Sequence, residues 1–175
     1  MMPDKSITTA TVDDAAAIAA LHIASWQTAY RGAVSDSYLD TLDVTQHTAT
    51  WQQRLIDGRD HVLLAVEDDV LVAFCAVGPS ADADADPTTW LIANLHVTPG
   101  RKRQGVGTQI FEAAVALARQ HGARRVTLWV IDVNQPARSF YEKRGMAPDG
   151  GRRRDDTPGR HVELLRYALV VGEPS

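Results

Sequence analysis

Apolar residues along the chain recur first at one spacing and then at another, and the switches between the two divide it into alternating strands and helices. Residues 6–11 read as a short first strand. From Asp13-Asp14 an alanine-rich stretch carries Ile18, Leu21, Ile23 and Trp26 at helical spacing to about Tyr30, where Gly32 breaks it. Shorter helical pieces follow near 37–42 and 44–56. Apolar runs at 61–67 and 70–78, joined by Glu67-Asp68-Asp69, predict two strands. A low-complexity loop with Asp82, Asp84 and Asp86 follows, and 90–97 predicts the next strand, closed by Thr98-Pro99-Gly100. Val106, Ile110, Phe111, Ala114, Leu117 and Ala118 then repeat at helical spacing until Gly122. A strand at 125–131, a helix from about Gln135-Pro136, and a closing antiparallel pair near 146–151 and 161–169 complete an α/β (α+β) pattern. No repeat or compositional break divides residues 1–175, so a single domain is expected.

Composition narrows the class. Apolar content of 45% and charged content of 23% suit an ordinary soluble globule. A net charge of −4 argues against nucleic acid as a partner, and Arg152-Arg153-Arg154, followed at once by Asp155 and Asp156, reads as a solvated hairpin tip. The lone cysteine, Cys75, permits no intramolecular disulfide and sits in an apolar strand as a buried thiol. The six histidines show no metal-type pairing, so no metal is expected. No signal-peptide pattern or membrane-length apolar run is present, so a cytoplasmic protein without a membrane partner is expected.

The chemistry concentrates at Lys102-Arg103-Gln104-Gly105-Val106-Gly107-Thr108, between a strand and a helix. A glycine turn opening a helix aims several backbone N–H groups one way, with the positive helix end behind them and Arg101, Lys102 and Arg103 alongside. That cradle suits a pyrophosphate. A Walker A loop would need Gly-Lys-Ser/Thr, which the chain lacks. A dinucleotide fingerprint would need a third glycine where Ile110 stands, although Asp132 lies at a fitting distance. The run Lys102-x-x-Gly105-x-Gly107 resembles the coenzyme A loop of the GCN5-related N-acetyltransferases, Arg/Gln-x-x-Gly-x-Gly/Ala. Lys102 departs from the pattern by losing the planar side chain while keeping the charge.

A second run, Asn134-x-x-Ala137-x-x-Phe140-Tyr141-Glu142-Lys143-x-Gly145-Met146, resembles the other signature of the same family, in the right order and at the right distance. Asn134 suits a helix cap, Pro136 the first turn, and Gly145 a left-handed stop. Phe140 reads as packing between helix and sheet.

The resemblance implies a single-domain acetyltransferase fold. Its central sheet is mixed, mostly antiparallel and of about seven strands, flanked by about four helices, with a splayed V between the two central strands. It implies acetyl-CoA as co-substrate, an amine as acceptor and no metal. Leu95, His96 and Val97 would bind the coenzyme, the backbone of Leu95 and Val97 pairing with pantetheine. Backbone N–H groups of Arg103, Gln104, Gly105, Val106, Gly107 and Thr108, with Lys102, would hold the pyrophosphate. Asn134 would touch pantetheine or the loop, and Tyr141 would protonate the departing sulfur. A phenol near pKa 10 and a thiol near 8.5 differ by only about 1.5 units, which makes Tyr141 a reasonable acid.

The base is less legible. Some family members carry a glutamate near the start of the strand where this chain has Trp90 and Leu91, and no carboxylate lies between 88 and 97. His96 lies in that strand, but alternation turns it away from Leu95 and Val97, and a water relay is the other reading. Trp26 and Tyr30 share a helix face and could wall the acceptor site or pack in the core, and Trp129 could line the acetyl channel or pack. The acidic run at 82–86 reads as a solvated loop that could attract an amine. Dimers are common among proteins of this kind, so a homodimer is an open expectation. The alternative function is a non-catalytic acyl-CoA sensor on the same fold.

Overall fold

Helix ends follow the local chemistry of the sequence. Asp14 accepts the Thr11 backbone N–H at 2.7 Å ahead of the first helix. Asp43 Oδ1 accepts from Thr45 N–H at 2.7 Å at the start of the third, which ends on Gly58 at φ 63°. The computed structural model describes residues 5–101 and 104–172. In order these form β1 (Lys5–Thr9), α1 (Ala15–Ala29), α2 (Asp36–Asp40), α3 (Val44–Asp57), β2 (His61–Glu67), β3 (Val70–Pro79), β4 (Thr89–Val97), α4 (Val106–Gln120), β5 (Arg125–Ile131), α5 (Gln135–Glu142), β6 (Ala147–Thr157) and β7 (Arg160–Val170). The described residues form five α-helices where about four are expected, and the two shorter pieces expected near 37–42 and 44–56 are α2 and α3.

The strands make one seven-stranded sheet in the order β1-β2-β3-β4-β5-β7-β6. Every neighbouring pair is antiparallel except β4 and β5. That parallel pairing runs only from Thr89↔Arg125 to Ile92↔Leu128 and then stops. It stops at a bulge: β3 residues Ala76 and Val77 pair with Asn94 and Ile92, leaving Ala93 as an extra residue. A bulge bends its strand and strengthens the twist, so β4 leaves β5 there and the two splay. The extra residue also resets the alternation. Trp90 and Ile92 before it, and Leu95 and Val97 after it, all meet the same core.

That core lies on the back of the sheet under α4 and α5, and holds Ile110, Phe111, Val126, Leu128, Tyr141 and Tyr167. On the front, Ile18 and Leu21 of α1 and Trp51 of α3 pack on Val62, Leu64 and Phe74. A third cluster joins the end of α1 to Leu39, Ile131 and Val162.

Two expectations change. β6 continues to Thr157 and the turn falls at Pro158-Gly159, so Arg152–Arg154 lie within a strand and not at a hairpin tip. Loop 80–88 is not simply solvated either. Asp84 takes both Arg166 Nη groups at 2.7 Å, and Asp82 lies 3.4 Å from Arg166 Nη1. Among the described residues no helix is long and apolar enough to cross a membrane.

Candidate active site

Among the described residues, the splay leaves one edge of β4 without a strand partner beyond Ile92. Thr98 N–H donates to the Val72 carbonyl of β3 at 2.8 Å. Backbone direction alternates along a strand, so His96 and Asn94 also face β3, while Leu95 and Val97 turn their N–H and C=O groups into the gap. An extended chain entering the gap would find the hydrogen-bonding edge that the sequence reading expects at these two residues. The His96 ring goes to the front, as alternation predicts. Its Nδ1 lies 2.9 Å from Ser25 Oγ, and its ring centroid 4.7 Å from that of His22.

The glycine loop closes the back of this gap. Gly105 adopts φ 83°, which favours glycine, and α4 starts on the next residue. Gln109 N–H bonds the Gly105 carbonyl at 3.0 Å, so the amides of Val106, Gly107 and Thr108 precede the helical ladder and carry its positive end. Gly107 permits a close approach: a Cβ there would stand 3.2 Å from Phe140 Cε2 and 3.5 Å from Val97 Cγ2. The two sequence motifs therefore meet at Gly107 and Phe140, which packs as expected. Gln104 is exposed just ahead of the turn, and Lys102 and Arg103 lie outside the described residues. Arg101 is directed to the sheet, where Glu67 holds it at 2.9 Å and pairs Lys5 at 3.2 Å.

Tyr141 comes from α5. Asn134 caps this helix by accepting the Ala137 N–H at 3.3 Å, and Gly145 ends the segment at φ 90°. Tyr167 of β7 donates to Glu142 at 2.6 Å and accepts from Arg138 Nε at 3.0 Å, tying α5 to the sheet on either side of Tyr141. Tyr141 is 9% exposed. Its phenol pKa is raised above the ordinary value, first by burial and then by Tyr30 and Cys75. Cys75, a buried thiol as expected, has its own pKa raised by burial.

Helix α1 crosses the front of the gap. Its Ser25 and His22 meet His96 of β4, while Trp26 and Tyr30 pack with Ile131 at the end of β5. Trp26 and Tyr30 meet edge to face at 4.7 Å, and the Arg160 guanidinium stands 5.0 Å from the Trp26 ring centre. Trp129 is placed otherwise. Its indole N–H donates to Asp82 at 3.2 Å, and Arg153 covers its ring at 4.5 Å. That puts it beneath loop 80–88.

Sequence reasoning missed three features: Glu67 behind the loop, His22 beside His96, and the cage of carboxylates around Arg166. The charged alternation at Glu67 resembles any strand end, and the others assemble from segments far apart in the chain.

The comparisons agree with this geometry. The model of a family described as "Acetyltransferase (GNAT) family" matches residues 20–146. The uncharacterized N-acetyltransferase YhfO of Bacillus subtilis is 30% identical over 146 residues, covering 83% of this chain and 92% of that protein. Among solved structures, an N-acetyltransferase from Staphylococcus aureus Mu50 superposes with a TM-score of 0.76 at 14% identity, covering 97% of this chain and 99% of its own. The PaiA N-acetyltransferase of Thermoplasma acidophilum in complex with coenzyme A superposes with a TM-score of 0.69 at 18% identity, covering 93% and 98%.

Proposed function

Because the chain belongs to the GNAT acetyltransferase family, we propose that it moves the acetyl group of acetyl-CoA directly to an amine, with Tyr141 as the acid that protonates the departing thiolate. What supports this reading is that three features adjoin one core. These are the amides of Val106–Thr108, the open edge of β4 at Leu95 and Val97, and the Tyr141 side chain.

The chain fits the coenzyme in charge and in shape. Amides at the start of a fifteen-residue helix suit a pyrophosphate, and the glycine at 107 leaves room against Phe140. Pantetheine would lie along β4 as a partial strand, with a gap-facing backbone N–H near Leu95 polarising the thioester carbonyl. The amine nitrogen then donates its lone pair to the carbonyl carbon, the C–S electron pair leaves on sulfur, and sulfur takes the Tyr141 proton. The nitrogen gives up one proton to solvent at the front of the gap.

Burial raises the Tyr141 phenol, which would make it a poorer acid were the sulfur in water. Cys75 shows that a thiol in the same core is raised as well. Both groups move in one direction, so burial of a sulfur beside the phenol offsets part of what burial of the phenol costs.

A pooled amine panel with acetyl-CoA, read by product mass, tests the reading. Acetylated product is expected from at least one amine. Coenzyme bound without any product would favour a sensor, and no coenzyme binding at millimolar concentration would remove both readings. Gly107→Val probes the cradle separately. The added side chain presses Phe140 and Val97, so calorimetry should show coenzyme affinity weakened by at least about tenfold, or about 1.4 kcal/mol.

A further inference from the structure

Resting on the acetyl-transfer reading above, we infer that Arg144 is a positioning residue for the coenzyme. It sets the first turn of α4 against α5 and brings a positive charge to the pyrophosphate cradle.

The spacing of the second motif does not single this residue out, because it stands at the open position between Lys143 and Gly145. The fold gives it three contacts. Its guanidinium carbon stands 3.6 Å from the centre of the Phe140 ring, the same ring that Gly107 approaches. Nη1 donates to the Phe140 carbonyl at 2.7 Å, near the end of α5, where a helix leaves its carbonyls without N–H partners. Nη2 donates to the Thr108 hydroxyl on α4. Thr108 is the third residue of that helix, and its amide is one of the three that precede the helical ladder. One side chain therefore ties the turn that carries the free amides to the residue beside Tyr141.

Among the described residues no carboxylate hydrogen-bonds this cation. Its hydrogen bonds go to a carbonyl and a hydroxyl, and its Nε is buried without an acceptor. Glu112, one turn along α4 from Thr108, attracts it only through space. Arg101, before the glycine turn, is by contrast taken up by Glu67 at 2.9 Å. A half-buried cation with a donor left unpaired is costly, and an anion brought beside it offsets part of that cost. The pyrophosphate that the Val106–Thr108 amides would receive is such an anion, delivered at the turn that Arg144 holds. Thr108 and Arg144 also line one groove beside α4, so their contact borders open space.

Calorimetry with coenzyme A on the wild type, Arg144→Met, Arg144→Lys and Thr108→Val tests the role. Methionine keeps a stem over Phe140 and loses the donors and the charge, lysine restores the charge, and valine removes the acceptor on α4. Arg144→Met should weaken coenzyme A binding about tenfold, the size expected for a hydrogen bond from a charged group. Arg144→Lys should recover about threefold of that loss, and Thr108→Val should weaken binding about threefold. Adding Thr108→Val to Arg144→Met should cost nothing further, because both remove one contact. The KM for acetyl-CoA should rise in Arg144→Met several times more than the KM for S-acetylpantetheine, which lacks the pyrophosphate. Equal effects on the two thioesters would give Arg144 a packing role and overturn the inference, as would unchanged coenzyme A affinity. Should Arg144→Met fail to fold, Thr108→Val makes the same comparison with the guanidinium in place. No coenzyme A binding by the wild type overturns acetyl transfer and the inference together. Binding without turnover overturns transfer alone, and the calorimetry still decides the role of Arg144.

Discussion

Tyr141→Phe is expected to lower kcat by about 10²–10³-fold while leaving coenzyme affinity and thermal stability as they are. The phenyl ring keeps every packing contact with Phe111, Phe140 and Tyr167 and loses only the hydroxyl. Without it, the thiolate must leave unprotonated or wait for water in a buried gap, and general acid catalysis of this kind is worth that range. Because burial raises the phenol pKa, wild-type activity should not decline near neutral pH through loss of this proton. Single-turnover transfer beside a calorimetric coenzyme titration separates the effects. A variant with full kcat would remove Tyr141 from the chemistry, and one that no longer bound coenzyme would give it a packing role.

Arg166→Met should destabilise the fold by about 3 kcal/mol and lower the melting temperature by about 6–12 °C. Arg166 is 9% exposed and meets carboxylates from two directions. Its Nε donates to Asp149 at 2.7 Å, and its two Nη groups donate to Asp84 at 2.7 Å each. Methionine fills much of the space but leaves Asp149 with Arg125 and the Gly151 N–H, and Asp82 with the Trp129 indole. Losing one partner of a buried ion cluster costs more than the cluster contributes, since the remaining charges stay desolvated.

The pH dependence follows the same contact. Arg166 holds the Asp84 carboxyl down at about 2, below its unfolded value of about 3.9. Its contribution is therefore present above the unfolded value and lost as pH falls toward 2, where the wild type should lose stability more steeply than the variant. Denaturant titrations at pH 7, 4 and 2.5 would follow both proteins across that window, which lies between the two carboxyl values. An unchanged midpoint at pH 7 would show that loop 80–88 is held by other contacts.

How much could be read in advance depended on range. Helix α4 was legible from Val106 to Gln120 because its apolar positions repeat within the helix itself, and Asn134 announced a cap because capping involves residues three apart. The acidic loop was misread because the partner of Asp84 lies 82 residues away, on β7. The hairpin tip was misplaced because a charged edge strand looks like a turn when charge is the only guide. Trp129 stood open between channel and packing, and only the fold of loop 80–88 placed Asp82 against its indole N–H.

Strand and helix order, the glycine turn before α4 and the Asn134–Tyr141 run follow from the sequence by itself, since each depends on neighbours within a few residues. The gap, the meeting of Gly107 with Phe140, and the pairing of His22 with His96 were decided only by tertiary structure. The cause is geometric: one bulged residue at Ala93 opens the sheet, and what faces the opening comes from α1, α3 and β7, whose contacts no local spacing encodes.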